Sequence, residues 1–176
     1  MKDLPQRKNI RLKDYDYSLN GAYFITICIK DRHELLGKIY GWCNDRVAPI
    51  IELSEYGIIV KKYIENINSV YNSILVDKYA VMPNHIHLLI FLHNGQIGIS
   101  RSDEVIAPYK TSIPTVIRSF KTFVSKECGF SIWQASYHDH IIRNEEDYRN
   151  HWRYIDENSA RWTEDEYYMG RQNASV

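Results

Sequence analysis

The chain has 176 residues, 44% of them hydrophobic and 25% charged, the proportions of an ordinary globular domain, which exclude disordered, collagenous and coiled-coil classes. Lysine plus arginine number 22, as do aspartate plus glutamate, so overall charge offers no argument for a nucleic-acid partner. The longest apolar stretch, Ala22 to Ile29, falls far short of the roughly 20 residues a bilayer span needs, and Met1 to Lys8 carries no apolar signal core, so one cytoplasmic domain spanning 1–176 with no membrane partner is expected.

In chain order, residues 1–13 form a basic arm in which Lys2, Arg7, Lys8, Arg11 and Lys13 face a single acid, Asp3. Tyr23 to Ile29 is β-branched and aromatic with Gly21 at its head, the pattern of a buried strand. Gly37 to Gly41 and Ala48 to Leu53 suit a small hairpin beside it. Ser54 is placed as an N-cap, and Tyr56, Ile59, Val60, Tyr63 and Ile67 then recur at the spacing of a helix that buries one face. Ile74–Met82 and His85–Leu92 read as two strands turned at Pro83-Asn84. Gly95, Gly98 and Pro108 with several Ser and Asp make 94–112 a predicted mobile loop. Ile113, Val116, Ile117, Phe120, Phe123 and Val124 mark a second amphipathic helix with Arg118, Lys121 and Ser125 together on its polar side. Ser136 to Ile142 reads as a short strand, and Asn144 with Asp147 three positions on caps a third helix running to about Asn158. Acids dominate 144–168, eight against three arginines, and read as a solvated acidic side. Cys28, Cys43 and Cys128 are odd in number and lack a C-x-x-C pair, so they read as reduced residues. The order β-α-β-β-α-β-α predicts an α+β domain, a ferredoxin-like antiparallel sheet with helices packed on it.

His85 and His87 stand one residue apart on a predicted strand, so both imidazoles point to one face while Ile86 points to the other. Paired imidazoles suit a divalent metal, although two ligands do not close a site and a hydrogen-bonded histidine pair fits the same spacing. Tyr154 and Asn158 are four apart on the third helix and share a face. If that face packs over the histidine strand, Asn158 supplies a ligand oxygen and Tyr154 a phenol beside the metal. A phenol, with a pKa of about 10, needs electrostatic help to act as a nucleophile, and a phosphodiester held on a divalent ion provides it. Most of the 14 tyrosines must be packing residues. Tyr137, Tyr148 and Tyr154 are the candidates here, and only Tyr154 has a ligand-type side chain one turn later.

The segment Met82-Pro-Asn-His-Ile-His-Leu-Leu89 resembles the histidine-hydrophobe-histidine motif of single-tyrosine transposases related to IS200-like elements. Ile132 to Tyr148, continuing through Tyr154 to Trp162, resembles the REP-associated tyrosine transposase branch, and so does Arg11 to Tyr17 ahead of Gly21 to Ile27. The resemblance covers nearly the whole chain in order. It implies a ferredoxin-like fold and a divalent cation, Mg2+ or Mn2+, held by His85, His87 and Asn158. It also implies that Tyr154 attacks single-stranded or hairpin DNA, leaving a 5′-phosphotyrosine and a free 3′-hydroxyl, with Tyr137 as the lower-ranked nucleophile. Relatives carry Asn-Pro where this chain has Asn158-Ser159, which bears on where the helix ends and how far Asn158 reaches. Arg11, Lys13, Arg118 and Lys121 are the candidate DNA contacts. His138, Asp139 and His140 are read as hydrogen-bonding groups of the sheet in preference to DNA-orienting ones. A DNA-binding domain that does not cut and a metal nuclease using water are the alternatives, and a second copy of the chain is a candidate partner.

Overall fold

A computed structural model describes residues 12, 14–41, 49–95 and 110–169. Arg11 and Lys13, most of the predicted basic arm and of the 94–112 loop, Cys43 and Ala48 lie outside the described residues. The elements are β1 (Gly21–Cys28), β2 (Gly37–Tyr40), β3 (Ile50–Leu53), α1 (Glu55–Val70), β4 (Ile74–Val81), β5 (His85–Leu92), α2 (Ile113–Cys128), β6 (His138–Ile142) and α3 (Glu145–Glu157), with 3-10 turns at Lys30–Arg32 and Trp162–Glu164.

Four strands form one antiparallel sheet in the order β4-β5-β1-β6, and β2 pairs with β3 as a separate hairpin. Removing that hairpin leaves β-α-β-β-α-β in the strand order of a ferredoxin-like domain, as expected, with α3 added at the end. The caps are where the sequence placed them: Ser54 Oγ accepts from Gly57 N, and Asn144 accepts from Asp147 N. The register pairs Tyr23 with Ile90, Ile25 with Leu88 and Ile27 with Ile86. These six side chains are fully buried and join Val60, Ile64, Ile67, Val116, Ile117, Phe120 and Val124 of α1 and α2 in one core. Phe123, at the margin of the α2 stripe, instead stays half exposed and stacks on Tyr63.

The other sheet face carries the cross-strand pairs Thr26–His87 and Cys28–His85, with Phe24 opposite His140 on the β6 side. It is covered by α3. Lys78 of β4 lies 3.2 Å over the Trp152 ring and 2.5 Å from Asp156, and Tyr148 donates to Asp77, while on the other edge His140 contacts Asp147. The helix is thus fastened to both edge strands, which sets Tyr154 and Asn158 across the central strands. Asp147, Asp156 and Asp165 all have partners within the domain, so the predicted acidic side is partly internal.

Candidate active site

Both imidazoles of β5 are buried, and their Nε2 atoms stand 2.9 Å apart. The turn before the strand fixes the tautomer of His85. Asn84 is buried, and its Nδ2 donates to the carbonyls of Tyr167 at 2.8 Å and Arg32 at 3.3 Å. Its Oδ1 is therefore the acceptor facing His85 Nδ1 at 2.8 Å. A neutral His85 carries its proton on Nδ1 and presents a lone pair at Nε2. Thr26 Oγ1 lies 2.9 Å from His87 Nδ1, and a hydroxyl can donate or accept there. It supports His87 as the Nε2–H donor to His85, and equally the tautomer with a bare Nε2.

Burial, with Arg32 nearby, pushes His85 down to about 3. Burial and then His85 hold His87 well below the ordinary imidazole value. The pair is neutral at physiological pH, the state a metal ligand requires.

Asp165 reaches this face from the segment that follows α3. Its side chain is buried, and its Oδ2 lies 3.9 Å from His85 Nε2, 2.9 Å from the donating Asn158 Nδ2 and 3.3 Å from the Tyr154 hydroxyl. His85, His87 and Asp165 offer ligand atoms all within 4.8 Å of one another. Sequence reasoning missed Asp165. It lies in an acidic run without periodicity, and the only local signal was the aromatic cluster Trp162, Tyr167 and Tyr168 around it. The rings of Trp162 and Tyr167 pack 5.9 and 4.6 Å from that of His85 and carry the chain back over the sheet.

Asn158 keeps helical angles, φ −58° and ψ −43°, one residue past α3, so Ser159 in place of proline does not shorten its reach. Its Oδ1 is buried without a hydrogen-bond partner among the described residues. Tyr154 packs 5.1 Å from the His87 ring and 5.9 Å from Phe24. Burial first, then the Asp165 charge and hydrogen bond, raise its phenol well above the ordinary value. A cavity of about 530 Å³ lined by Phe24, Thr26, His87, His151, Tyr154 and Asp165 opens onto the group. Tyr137, also buried, lines a different cavity of about 560 Å³ against α2, with Arg118, Lys121 and Trp133. Arg118 is exposed there, whereas Lys121 Nζ donates to the carbonyls of Gln134, Ala135 and Ser136. Asp139 turns to the other face and accepts from Tyr17 at 2.6 Å.

The donor set fits a divalent cation. Adjacent ligands at 2.0–2.1 Å on an octahedral ion lie roughly 2.9 Å apart, the separation of the two Nε2 atoms. A buried carboxylate beside them offsets charge, and the unpartnered Asn158 oxygen is an acceptor in need of a donor or a cation.

No family model matches the chain. An uncharacterized protein of Haemophilus influenzae is 32% identical over 177 residues, 93% of each chain. A second protein of that organism, provisionally named a REP-associated tyrosine transposase, is 26% identical over 141 residues, 80% of this chain and 70% of its own. The solved structure of a REP-associated tyrosine transposase bound to a REP hairpin has the same fold, with a TM-score of 0.57 and 21% identity over 86% of this chain and 74% of that one. The chain is thus similar in sequence to a provisionally named REP-associated tyrosine transposase and shares the fold of a solved one.

Proposed function

We propose that the protein cleaves and rejoins single-stranded DNA at hairpin-forming repeats, through a covalent 5′-phosphotyrosine on Tyr154 and with a divalent cation, Mg2+ or Mn2+. One observation carries the reading: the Tyr154 hydroxyl, the Asn158 amide and the His85 Nε2 converge on a single oxygen of Asp165, at 3.3, 2.9 and 3.9 Å. His85 and His87 would hold the cation with Asp165 or Asn158, and when bound it supplies Lewis-acid polarisation of the scissile phosphate.

Asp165 accepts the Tyr154 proton and keeps the phenol oxygen at the cavity wall. The phenol oxygen then forms the bond to phosphorus as the bond to the DNA 3′-oxygen breaks, and that oxygen leaves with a proton. Because the phosphodiester energy stays in the tyrosyl ester, a 3′-hydroxyl can reverse the step without a nucleotide cofactor. Asn84 and Thr26 position the imidazoles. Of the candidate DNA contacts, Arg118 is exposed beside the α2 cavity, where it would meet a DNA phosphate away from Tyr154, whereas Lys121 would have to exchange its three carbonyls for one. The hairpin bound by the solved relative is the model for the substrate.

Incubation with labelled single-stranded hairpin oligonucleotides and Mn2+ tests the reading. A covalent protein–DNA adduct is expected, lost in Tyr154→Phe and reduced at least a hundredfold in His87→Ala. Binding without an adduct would identify a non-cutting DNA-binding domain. Cleavage that survives Tyr154→Phe but fails in His85→Ala would identify water as the nucleophile.

A further inference from the structure

A second group of metal-capable side chains sits at the opposite end of α3. His140 of the edge strand β6 lies beside Asp147 and His151 of α3, and one imidazole Nε2, one carboxylate and one imidazole Nδ1 fall within 4.8 Å of one another. His140 Nε2 is 2.9 and 3.0 Å from the two Asp147 oxygens, and His151 Nδ1 is 3.1 Å from Oδ1. The two imidazoles are the ion-pair partners of Asp147; no lysine or arginine side chain among the described residues pairs with it.

We propose that His140, Asp147 and His151 form a second cation site, separate from the histidine pair of β5, that takes a borderline-soft ion such as Zn2+. Two imidazoles and one carboxylate, the same donor types as His85, His87 and Asp165, are ligands common in Zn2+, Co2+ and Ni2+ sites. Ligands on a tetrahedral ion at 2.0–2.1 Å are about 3.3 Å apart, within a few tenths of an ångström of both histidine–carboxylate distances. The donors are also held in place. Asp147 is anchored through its N–H on Asn144 and by accepting from Arg143 N at 3.1 Å. The His140 and His151 rings stack at 4.6 Å and 21°, and His151 rests on Phe24 at 4.6 Å. Side-chain exposures of 47%, 20% and 23% for His140, Asp147 and His151 leave the group open to an ion and a completing water.

Without the ion, the carboxylate accepts from His140 Nε2, and His151 Nδ1 donates to the Asp147 carbonyl at 2.8 Å while lying 3.1 Å from Oδ1. A cation replaces those two protons. They move to the far ring nitrogens or, from a charged imidazole, to solvent, and His151 releases the carbonyl. Occupancy would tie the first turn of α3 to β6, two helical turns ahead of Tyr154.

Calorimetric titration of the chelator-stripped full chain with Zn2+ tests the site. His140→Ala, Asp147→Asn and His151→Gln should each bind one equivalent fewer than the wild type, or bind it at least tenfold more weakly, and His87→Gln should retain that equivalent. The Zn2+-dependent rise in unfolding temperature, read for each protein against its own midpoint in EDTA, should shrink in the same three variants. Unchanged stoichiometry and affinity in His140→Ala would overturn the proposal. That exposed edge position decides the matter even if Asp147→Asn, which weakens the start of α3, unfolds. DNA cleavage is not the readout, so failure here is distinct from failure of the transposase reading.

Discussion

A histidine whose ring is removed from water must either find a partner for its charge or stay neutral, and His85 stays neutral. Its folded value of about 3 lies below the ordinary imidazole value of about 6.5, so the unfolded chain takes the proton first. The stability tied to the neutral ring is complete above about pH 6.5 and is lost progressively as pH falls toward 3. Inside that window one such group costs about 1.4 kcal/mol per pH unit, and His87, depressed in the same direction, adds to the slope. Urea unfolding of the protein in EDTA at pH 7.5 and 5.5 should show the loss. The His85→Gln variant, which keeps the size but not the titration, should show a shallower one; equal slopes would mean that the rings are solvated in the folded protein.

Among the elements, α1 shows how local signals and a distant contact combine. The Ser54 cap and the apolar spacing place the helix, but neither explains why Gly57 stands in its first turn. A Cβ there would meet the Leu36 carbonyl oxygen at 2.0 Å, backbone that cannot yield as a side chain can. Gly57→Ala would gain about 1 kcal/mol of helix propensity yet force apart α1 and the strand-entry loop, an overpacking cost of about 1–3 kcal/mol or more. The second effect should win, and calorimetry should find the melting temperature lowered by several degrees. Strands, caps and the paired imidazoles were legible because each is written within a few residues, in alternation or in a capping pair. The close approach at Gly57 was not, since Leu36 and Gly57 are brought together by the β2–β3 hairpin. The tyrosine and amide of α3 were legible as a shared helical face, while the fastening of that helix by Lys78 and Asp77 to one edge of the sheet and by His140 to the other depends on strand order.

At the scale of the whole molecule, the segment after α3 returns to the face that carries the candidate site. Asp165 comes 80 residues after His85 and reaches it because Trp162 and Tyr167 bury themselves against the imidazole and Asn84 donates to the Tyr167 carbonyl. No periodicity encodes such a return, which is why Asp165 escaped a reading that proposed His85, His87, Tyr154 and Asn158, the side chains beside which it lies. If the segment is an integral wall of the domain, Trp162→Ala must unfold like a core mutation. The ring is 2% exposed, and removing a buried tryptophan costs about 3–5 kcal/mol in transfer and cavity terms. Urea unfolding at pH 7.5 should register a loss of that order, and the pH slope set by His85 should flatten as water reaches the ring. A loss under about 1 kcal/mol with the slope unchanged would mean that the segment merely rests on the sheet, and the position of Asp165 would then have to be secured by its hydrogen bond to Asn158.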